Sequence, residues 1–209
     1  MLERTIEAAR EAGVTKIAVV GGAEVRAACA AGVELFIEEA DGETNIRHAL
    51  HAWEPDAPLL YLTSDMPFVH AEALRAFVKT VPSDALGLPL TDCAAFERRF
   101  PGAPAFGIAL AGERVVNGGA FWIPAHGAAR IEAFAARFFG ARKSVTRMAA
   151  LLGPVFCVRF MLRRLSIESL ERHAQRVLGI PAQAIRGASP ELAYDVDTLE
   201  EYEYAAEHA

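Results

Sequence analysis

The first third of the chain alternates between amphipathic helical patterns and short apolar runs. Leu2, Ile6 and Ala9 recur at helical spacing, and this pattern stops at Gly13, just before the β-branched run 16–20. Two further helical patterns and two further apolar runs follow, so the region predicts the order α-β-α-β-α-β. The later predicted helices are 24–31 and 44–53, and the later predicted strands are 33–37 and 58–63.

The apolar runs show no polar alternation, which is typical of strands that are buried on both faces. Parallel strands need helical crossovers, and the intervening helices supply them. The pattern therefore predicts an α/β protein with a mainly parallel sheet covered by helices on both sides, a three-layer Rossmann-like architecture.

The remaining two thirds continue this pattern, with one β excursion and a helical C-terminal part. Ser166 is the predicted N-cap of one of the helices, because its hydroxyl can accept a hydrogen bond from a first-turn amide. The absence of a repeat or a linker predicts a single domain over residues 1–209. The predicted elements are a helix at 71–80, a strand at 85–90, short strands at 106–110 and 120–123, helices at 128–139 and 165–178, a short strand at 194–197 and a helix at 199–207.

Charge and hydropathy exclude two classes of partner. The formal net charge is −6 and the chain has only three lysines, so nucleic acid is not an expected partner. No apolar run reaches the roughly 18 residues of a membrane span, because the richest stretch, 151–162, is interrupted by Gly153, Pro154 and Arg159. The charged N-terminus lacks the pattern of a signal peptide, so no membrane association is expected.

The cysteines indicate a compartment. Cys29, Cys93 and Cys157 are odd in number and widely spaced, which suits neither a disulfide framework nor a Cys-x-x-Cys metal pair. A reducing cytoplasm is therefore the expected location.

Asp65 is the first candidate for chemistry. It follows the apolar run 58–63, and ligands of open parallel sheets bind at the carboxyl ends of strands. The competing interpretation is that Asp65 caps a helix entering at Pro67.

A second acidic pair, Asp195 and Asp197, lies near the C-terminus. Side chains two apart in a strand face the same way, so both carboxylates can act together. Combined with Asp65 they could supply the oxygen ligands that Mg²⁺ prefers in addition to substrate phosphates. The alternative is that Asp197 is the N-cap of the last helix.

A third feature is Asn117-Gly118-Gly119. Two glycines permit close backbone approach, and an asparagine amide can bind a ligand hydroxyl. A simple Asn-Gly hairpin turn between two strands is the alternative.

Two further groups carry weaker signals. His48 and His51 share a helix face but lack a third metal ligand, so a solvated pair is expected. Arg142 and Lys143 could receive a phosphate or a carboxylate, although a solvated helix start explains them equally well.

Taken together, the motifs resemble the nucleotidyltransferases of the molybdenum-cofactor type, which have a glycosyltransferase-A-like (nucleotide-diphospho-sugar transferase) fold. The resemblance spans nearly the whole chain and depends mainly on Thr63-Ser-Asp65-Met-Pro67 and on the closing Asp195-Val-Asp197-Thr-Leu-Glu. It implies a nucleoside triphosphate and a small phosphorylated or hydroxyl acceptor as partners, with Mg²⁺ as cofactor. By the same resemblance, Asp65 and Asp197 are catalytic, Asp65, Asp195 and Asp197 hold the metal, and Asn117, Gly118 and Gly119 line the acceptor side. Arg142 and Lys143 are added as substrate-binding candidates because of their charge, not because of the resemblance.

The sequence departs from this family at its beginning. Members open with a strand and a glycine-rich loop bearing arginine and lysine, and Met1 aligns just after that segment. The expectation is an N-terminally truncated chain in which an empty mid-sheet position leaves both neighbouring strand edges exposed. Such a chain is expected to have negligible transfer activity, because the phosphate cradle is missing.

The segment 141–187 is longer than the minimal family pattern and is rich in arginine. We expect it to form a cap or insertion within the domain, leaning on the main sheet or on a second subunit, which is compatible with a homo-oligomer. Three functions therefore remain open: an Mg²⁺-dependent nucleotidyltransferase, a catalytically inactive ligand-binding or regulatory domain, and a sugar-nucleotide glycosyltransferase that uses Asp195 and Asp197 as a diphosphate-metal motif.

Overall fold

The structure, a computed structural model, describes residues 1–29, 32–52, 57–104, 107–141 and 144–209. Within these ranges the chain forms eight strands and nine α-helices. The strands are β1 (Ile17–Gly21), β2 (Val33–Ile37), β3 (Leu59–Leu62), β4 (Leu86–Asp92), β5 (Ile108–Leu110), β6 (Glu113–Asn117), β7 (Ala120–Ile123) and β8 (Ala182–Arg186). The helices are α1 (Leu2–Glu11), α2 (Gly42–Leu50), α3 (Ala71–Thr80), α4 (Cys93–Arg99), α5 (Ala128–Ala141), α6 (Val145–Leu152), α7 (Pro154–Met161), α8 (Ile167–Leu178) and α9 (Leu199–His208). Two short 3₁₀ helices cover Ala23–Ala27 and Pro190–Leu192.

The strands form two separate sheets. β1 and β2 pair in parallel, with Ile17 opposite Val33 and Gly21 opposite Ile37. The larger sheet has the order β3-β7-β4-β6-β5, and β8 pairs in parallel with β4. Since β3 and β4 both run antiparallel to β7, the strands β3, β4 and β8 share one direction. The predicted α/β class is confirmed, but the larger sheet contains more antiparallel pairing than a mainly parallel sheet.

A bulge joins β6 and β7, which lie one after the other along β4. These two strands do not pair with each other, and both pair with β4: Asn117 lies opposite Leu90, and Trp122 lies opposite Gly87. Between these two pairs, the four residues 118–121 lie opposite only the two residues 88–89 of β4, so extra residues are accommodated at Gly118-Gly119. The Asn-Gly hairpin interpretation is therefore wrong.

A gap separates the two sheets. In the described parts of the chain, β1 pairs only with β2, and β3 pairs only with β7. A cavity of about 610 Å³ lies between the unpaired edges and is lined by residues of β1, of β3 and of α1. The edges of β1 and β3 that face this cavity have no strand partner among the described residues.

Three local expectations are corrected by the structure. In place of the predicted helix 24–31 the structure has only the 3₁₀ helix Ala23–Ala27. The end of this predicted helix, residues 30 and 31, lies outside the described ranges, as do residues 53–56 and 105–106. The segment 194–197 is extended but not a strand, because Val196 makes a single backbone hydrogen bond to Asp65 instead of a ladder. β6 was not predicted, because its charged residues Glu113 and Arg114 interrupt the apolar pattern.

The C-terminal segment joins the larger sheet through β8 and α8. Ser166 caps α8 as predicted, with its hydroxyl accepting a hydrogen bond from the Ser169 amide at 3.3 Å. The apolar run after Pro154 forms α7. Its side chains Val155 and Met161 are 70% and 80% exposed, so the main sheet does not bury these two residues. No helix within the described ranges is long and apolar enough to cross a membrane. The three cysteines are all free.

Candidate active site

Asp65 lies where the chain leaves β3. Its backbone carbonyl accepts a hydrogen bond from the amide of Val196 at 3.1 Å. Val196 is flanked by Asp195 and Asp197, so this one bond brings the two distant acidic motifs of the sequence to the same place. No α-helix begins at Pro67, since α3 starts at Ala71, and the helix-capping interpretation of Asp65 is therefore wrong.

An aromatic cluster fixes the two acidic segments against each other. Phe68, three residues after Asp65, contacts Tyr194 edge-on, with ring centroids 4.8 Å apart. Phe100 packs on both rings, and all three side chains are buried. Because aromatic pairs at such distances add to the energy of burial, this cluster holds the Asp65 and Asp195 segments in a defined relation.

The carboxylates at this place repel one another. Burial, and then the negative charges of Asp197 and Asp65, raise the pKa of the Asp195 carboxyl. Burial and the charge of Asp65 also raise the pKa of the Tyr61 hydroxyl. The Oδ1 atom of Asp65 is buried and accepts no hydrogen bond within the described structure. A buried carboxylate oxygen without a donor, beside two further acids, is a site that a cation would stabilise.

A capping box leaves Asp197 free for such a cation. Thr198, not Asp197, is the N-cap of α9, and its hydroxyl accepts the Glu201 amide at 3.3 Å. The Glu201 carboxylate accepts hydrogen bonds from the Asp197 amide at 2.8 Å and from the Thr198 amide at 2.7 Å. The N-cap interpretation of Asp197 is therefore wrong. Its side chain is exposed and does not cap α9.

Glu201 was not among the predicted site residues. The sequence signal that indicates it is the spacing Thr198-x-x-Glu201 directly before a helical pattern. Glu201 is only 6% exposed, and its carbonyl accepts a hydrogen bond from the buried Tyr194 hydroxyl at 3.0 Å. It is a positioning residue, since it holds the backbone on which Asp197 is carried.

The glycine pair supports the acidic segments. A β-carbon at Gly118 would lie 1.6 Å from the Leu192 carbonyl oxygen, and one at Gly119 would lie 2.0 Å from Thr63 Oγ1. The Gly119 carbonyl also accepts the Thr63 amide at 2.9 Å. Leu192 precedes Asp195 and Thr63 precedes Asp65, so the pair allows both segments to approach the bulge. Both glycines are buried by protein atoms, whereas Asn117 is exposed.

The remaining candidates are the basic pair and the histidine pair. Arg142 and Lys143 lie outside the described residues. His51 Nε2 is 2.8 Å from Glu132 Oε2, which gives it a structural partner on α5. Within the described ranges there is no group of three or more histidine, cysteine or acidic side chains arranged to hold a metal.

The acidic site nevertheless fits a hard divalent cation. Mg²⁺ takes oxygen ligands and is bound in many enzymes by one or two carboxylates together with substrate phosphates. Asp65, with its unpartnered Oδ1, and the exposed Asp197 meet that requirement without a closed protein cage. The cavity between the sheets ends at this position, because Thr63, Ser64 and Asp65 belong to its lining.

The sheet order, the helical crossovers and the acidic site at the end of β3 define a nucleotidyltransferase-like α/β protein. The sequence model of the MobA-like NTP transferase domain matches residues 1–176, and the chain belongs to this family. No curated protein matches the sequence.

Solved structures agree with this assignment. A hypothetical transferase from Thermus thermophilus is 28% identical, with a TM-score of 0.84, and the match covers 96% of this chain and 85% of that one. Rv0371c from Mycobacterium tuberculosis, solved as a complex with manganese, is 20% identical with a TM-score of 0.54, covering 100% and 86%. The 4-diphosphocytidyl-2C-methyl-D-erythritol synthase of Anaerococcus prevotii is 10% identical with a TM-score of 0.59, covering 99% and 84%. The last two show the fold alone.

Proposed function

We propose that the site of Asp65, Asp195 and Asp197 is the metal site of a nucleotidyltransferase that acts on a small phosphorylated or hydroxyl acceptor. The proposal rests on two observations: the backbone bond between Val196 and Asp65 brings the two acidic segments of the chain together, and Asp65 Oδ1 is buried without a donor. A bound Mg²⁺ would neutralise negative charge that develops on the phosphates during transfer.

The reaction is a displacement at phosphorus. An oxygen of the acceptor forms a bond to the α-phosphorus of the triphosphate, and the bond to the departing pyrophosphate breaks. Asp65 and Asp197 hold the cation through their carboxylate oxygens. Glu201 keeps the backbone of Asp197 in place, and the exposed Asn117 amide is available to an acceptor hydroxyl.

Binding of Mn²⁺ tests the metal site independently of activity. Mn²⁺ is a convenient probe because it is paramagnetic, and the similar structure of Rv0371c holds manganese. Asp65→Asn and Asp197→Asn should each weaken Mn²⁺ binding at least about tenfold, or about 1.4 kcal/mol. Asp84→Asn removes an equal charge from an exposed turn and should leave the affinity unchanged. Equal Mn²⁺ affinity in all four proteins would contradict the proposal.

We also propose that the gap between the sheets is the place of one more parallel strand, which leads into α1. The Arg4 guanidinium donates to the Pro67 carbonyl at 2.5 Å, so α1 begins at the edge of the sheet where Asp65 lies. α1 ends at the opposite edge, where Gly13 and Val14 lead into β1. A helix in this direction is the crossover that follows a strand lying between β1 and β3. Only an extended segment can hydrogen-bond to both open edges at once.

Adding a strand tests this second proposal. Five apolar β-branched residues, joined to Met1 by a flexible glycine-rich loop, should slow hydrogen exchange of the β1 and β3 amides and raise the melting temperature. A fusion of equal length with serine and asparagine in the five positions is the matched control. If both fusions leave the exchange of β1 unchanged, the gap does not accept a strand.

The open gap also favours a second function for the 209-residue chain, namely a ligand-binding domain without catalysis. Positioning of the phosphates supplies most of the catalysis in this chemistry, and no ion pair joins a described arginine or lysine to a carboxylate of the acidic site. Equilibrium binding of acceptor compounds without pyrophosphate release would separate this function from the first.

A further inference from the structure

A second pocket lies between α7 and α8, on the C-terminal segment. Its volume is about 300 Å³, at the lower end of the range for small-molecule sites. The lining combines apolar side chains, among them Leu152, Phe156 and Leu165, with three arginines. Residues of the acidic site do not contribute to this pocket, so it is distinct from the site described above.

The arginines of the pocket lack close ion pairs, although the charge of Arg172 helps to lower the pKa of Glu168. Arg159, Arg172 and Arg176 form no ion pair with a described carboxylate. The two acids of α8 are engaged elsewhere: Glu168 pairs with Arg186, and the Glu171 carboxylate accepts the Ala184 amide at 2.8 Å. The sequence contains no aspartate or glutamate from 133 to 167.

His173 belongs to the pocket lining and has a buried polar atom without a partner in the described structure. Its ring stacks on Phe156 with the centroids 3.9 Å apart, and Nε2 is buried without a hydrogen bond in the described structure. Burial, assisted by the charge of Arg176, lowers the pKa of the imidazole, so a neutral ring is favoured. A neutral imidazole can donate from Nε2, and a buried polar atom of this kind requires a partner.

These features together specify the ligand. Guanidinium groups bind carboxylates and phosphates through paired hydrogen bonds, and the apolar walls suit a hydrocarbon body. The exposed Val155 belongs to the lining and extends the apolar surface outward along α7. We infer that the pocket between α7 and α8 binds an amphipathic anion, a carboxylate or phosphate group joined to an apolar chain or ring.

Titration calorimetry with decanoate tests the inference on the whole chain. Decanoate should bind, while acetate and inorganic phosphate, which have the head group alone, should bind at least tenfold more weakly. Octyl glucoside below its micellar concentration, which has the apolar chain without the charge, should also bind at least tenfold more weakly. Octyl phosphate distinguishes the two head groups. If octyl phosphate binds more tightly than decanoate, the site is assigned to phosphates.

Substitutions locate the binding. Arg159→Gln and Arg176→Gln should each weaken decanoate binding about tenfold, because each removes a charge-assisted hydrogen bond. Arg98→Gln, on the exposed side of α4, removes the same charge and should leave the affinity unchanged. Equal binding of octyl glucoside and decanoate, or no effect of either pocket substitution in folded protein, overturns the inference. Absence of binding of both decanoate and octyl phosphate at every protein concentration overturns it as well, whether or not a second copy covers α7.

Discussion

Gly119 packs so tightly on Thr63 that a β-carbon at position 119 would lie 2.0 Å from Thr63 Oγ1. A β-carbon at position 118 would likewise lie 1.6 Å from the carbonyl oxygen of Leu192. The obstacle at Gly119 is a side chain, whereas the obstacle at Gly118 is backbone. Because of this difference, a substitution of Thr63 should relieve the clash at position 119 but not the clash at position 118.

Gly119→Ala should destabilise the protein by about 1–3 kcal/mol, because overpacking forces side chains and backbone to shift. Thr63→Ala in the same chain should restore most of that loss by removing the obstructing hydroxyl. Gly118→Ala should not be rescued by Thr63→Ala, since its obstacle is the Leu192 carbonyl. Urea unfolding of the single and double variants measures all three effects.

Gly140→Ala is the control for these substitutions. Gly140 lies in α5 and has no atom within 4 Å of its β-carbon position, so alanine there should be neutral or stabilising. A loss of stability at Gly140 equal to that at Gly119 would mean that the close packing is not the cause.

Asp195→Asn should raise the melting temperature at pH 7 by about 1–2 °C in the absence of divalent cations. The folded-state pKa of Asp195 is raised, so its ionisation opposes folding as the pH rises through that pKa. The stabilisation of the variant should therefore vanish below the unfolded pKa of about 3.9. Thermal unfolding between pH 3 and pH 8 tests this, and a variant advantage that persists at pH 3 would point to packing instead of charge.

Thr198→Ala should weaken Mn²⁺ binding as well as stability. It removes the N-cap of α9, at about 1 kcal/mol, and frees the Glu201 carboxylate that holds the Asp197 backbone. Ser166→Ala removes the N-cap of α8, away from the acidic site, and should lower stability by a similar amount without changing Mn²⁺ affinity. An equal loss of Mn²⁺ affinity in both variants would show only a general effect of stability.

The 209-residue chain should release no pyrophosphate from any nucleoside triphosphate above the background rate. The described acidic site has carboxylates for a cation but no positively charged side chain paired with them to hold the phosphates. A coupled pyrophosphate assay with each of the four common triphosphates measures this, and turnover at an ordinary enzymatic rate would contradict the prediction.

The sequence was informative where one pattern dominates. Residues 71–80 have helical periodicity and form α3 over those same residues, and 33–37 form β2. The family resemblance is confirmed by the family match over residues 1–176, which includes Asp65 but not Asp197. The proposed roles of these residues stay predictions.

Other features depend on contacts that sequence does not record. The roles of Gly118 and Gly119 as sites of close packing follow from the positions of Leu192 and Thr63, which are remote along the chain. β6 was missed because Glu113 and Arg114 look like a loop, although Glu113 pairs with Arg186 on β8. The alternative interpretation of Asp197 as an N-cap places the cap one residue too early, because the structure shows that the adjacent Thr198 is the N-cap of α9.

The gap between β1 and β3 has a consequence for cooperativity. No backbone hydrogen bond joins the described strands of the small sheet to those of the large one, so β1 and β2 are connected to the rest of the protein through helices, including the contacts of α2 with β1 and α5. A unit attached in this way can open without disrupting the larger sheet. Heating should therefore produce two transitions, with a calorimetric enthalpy larger than the van't Hoff enthalpy.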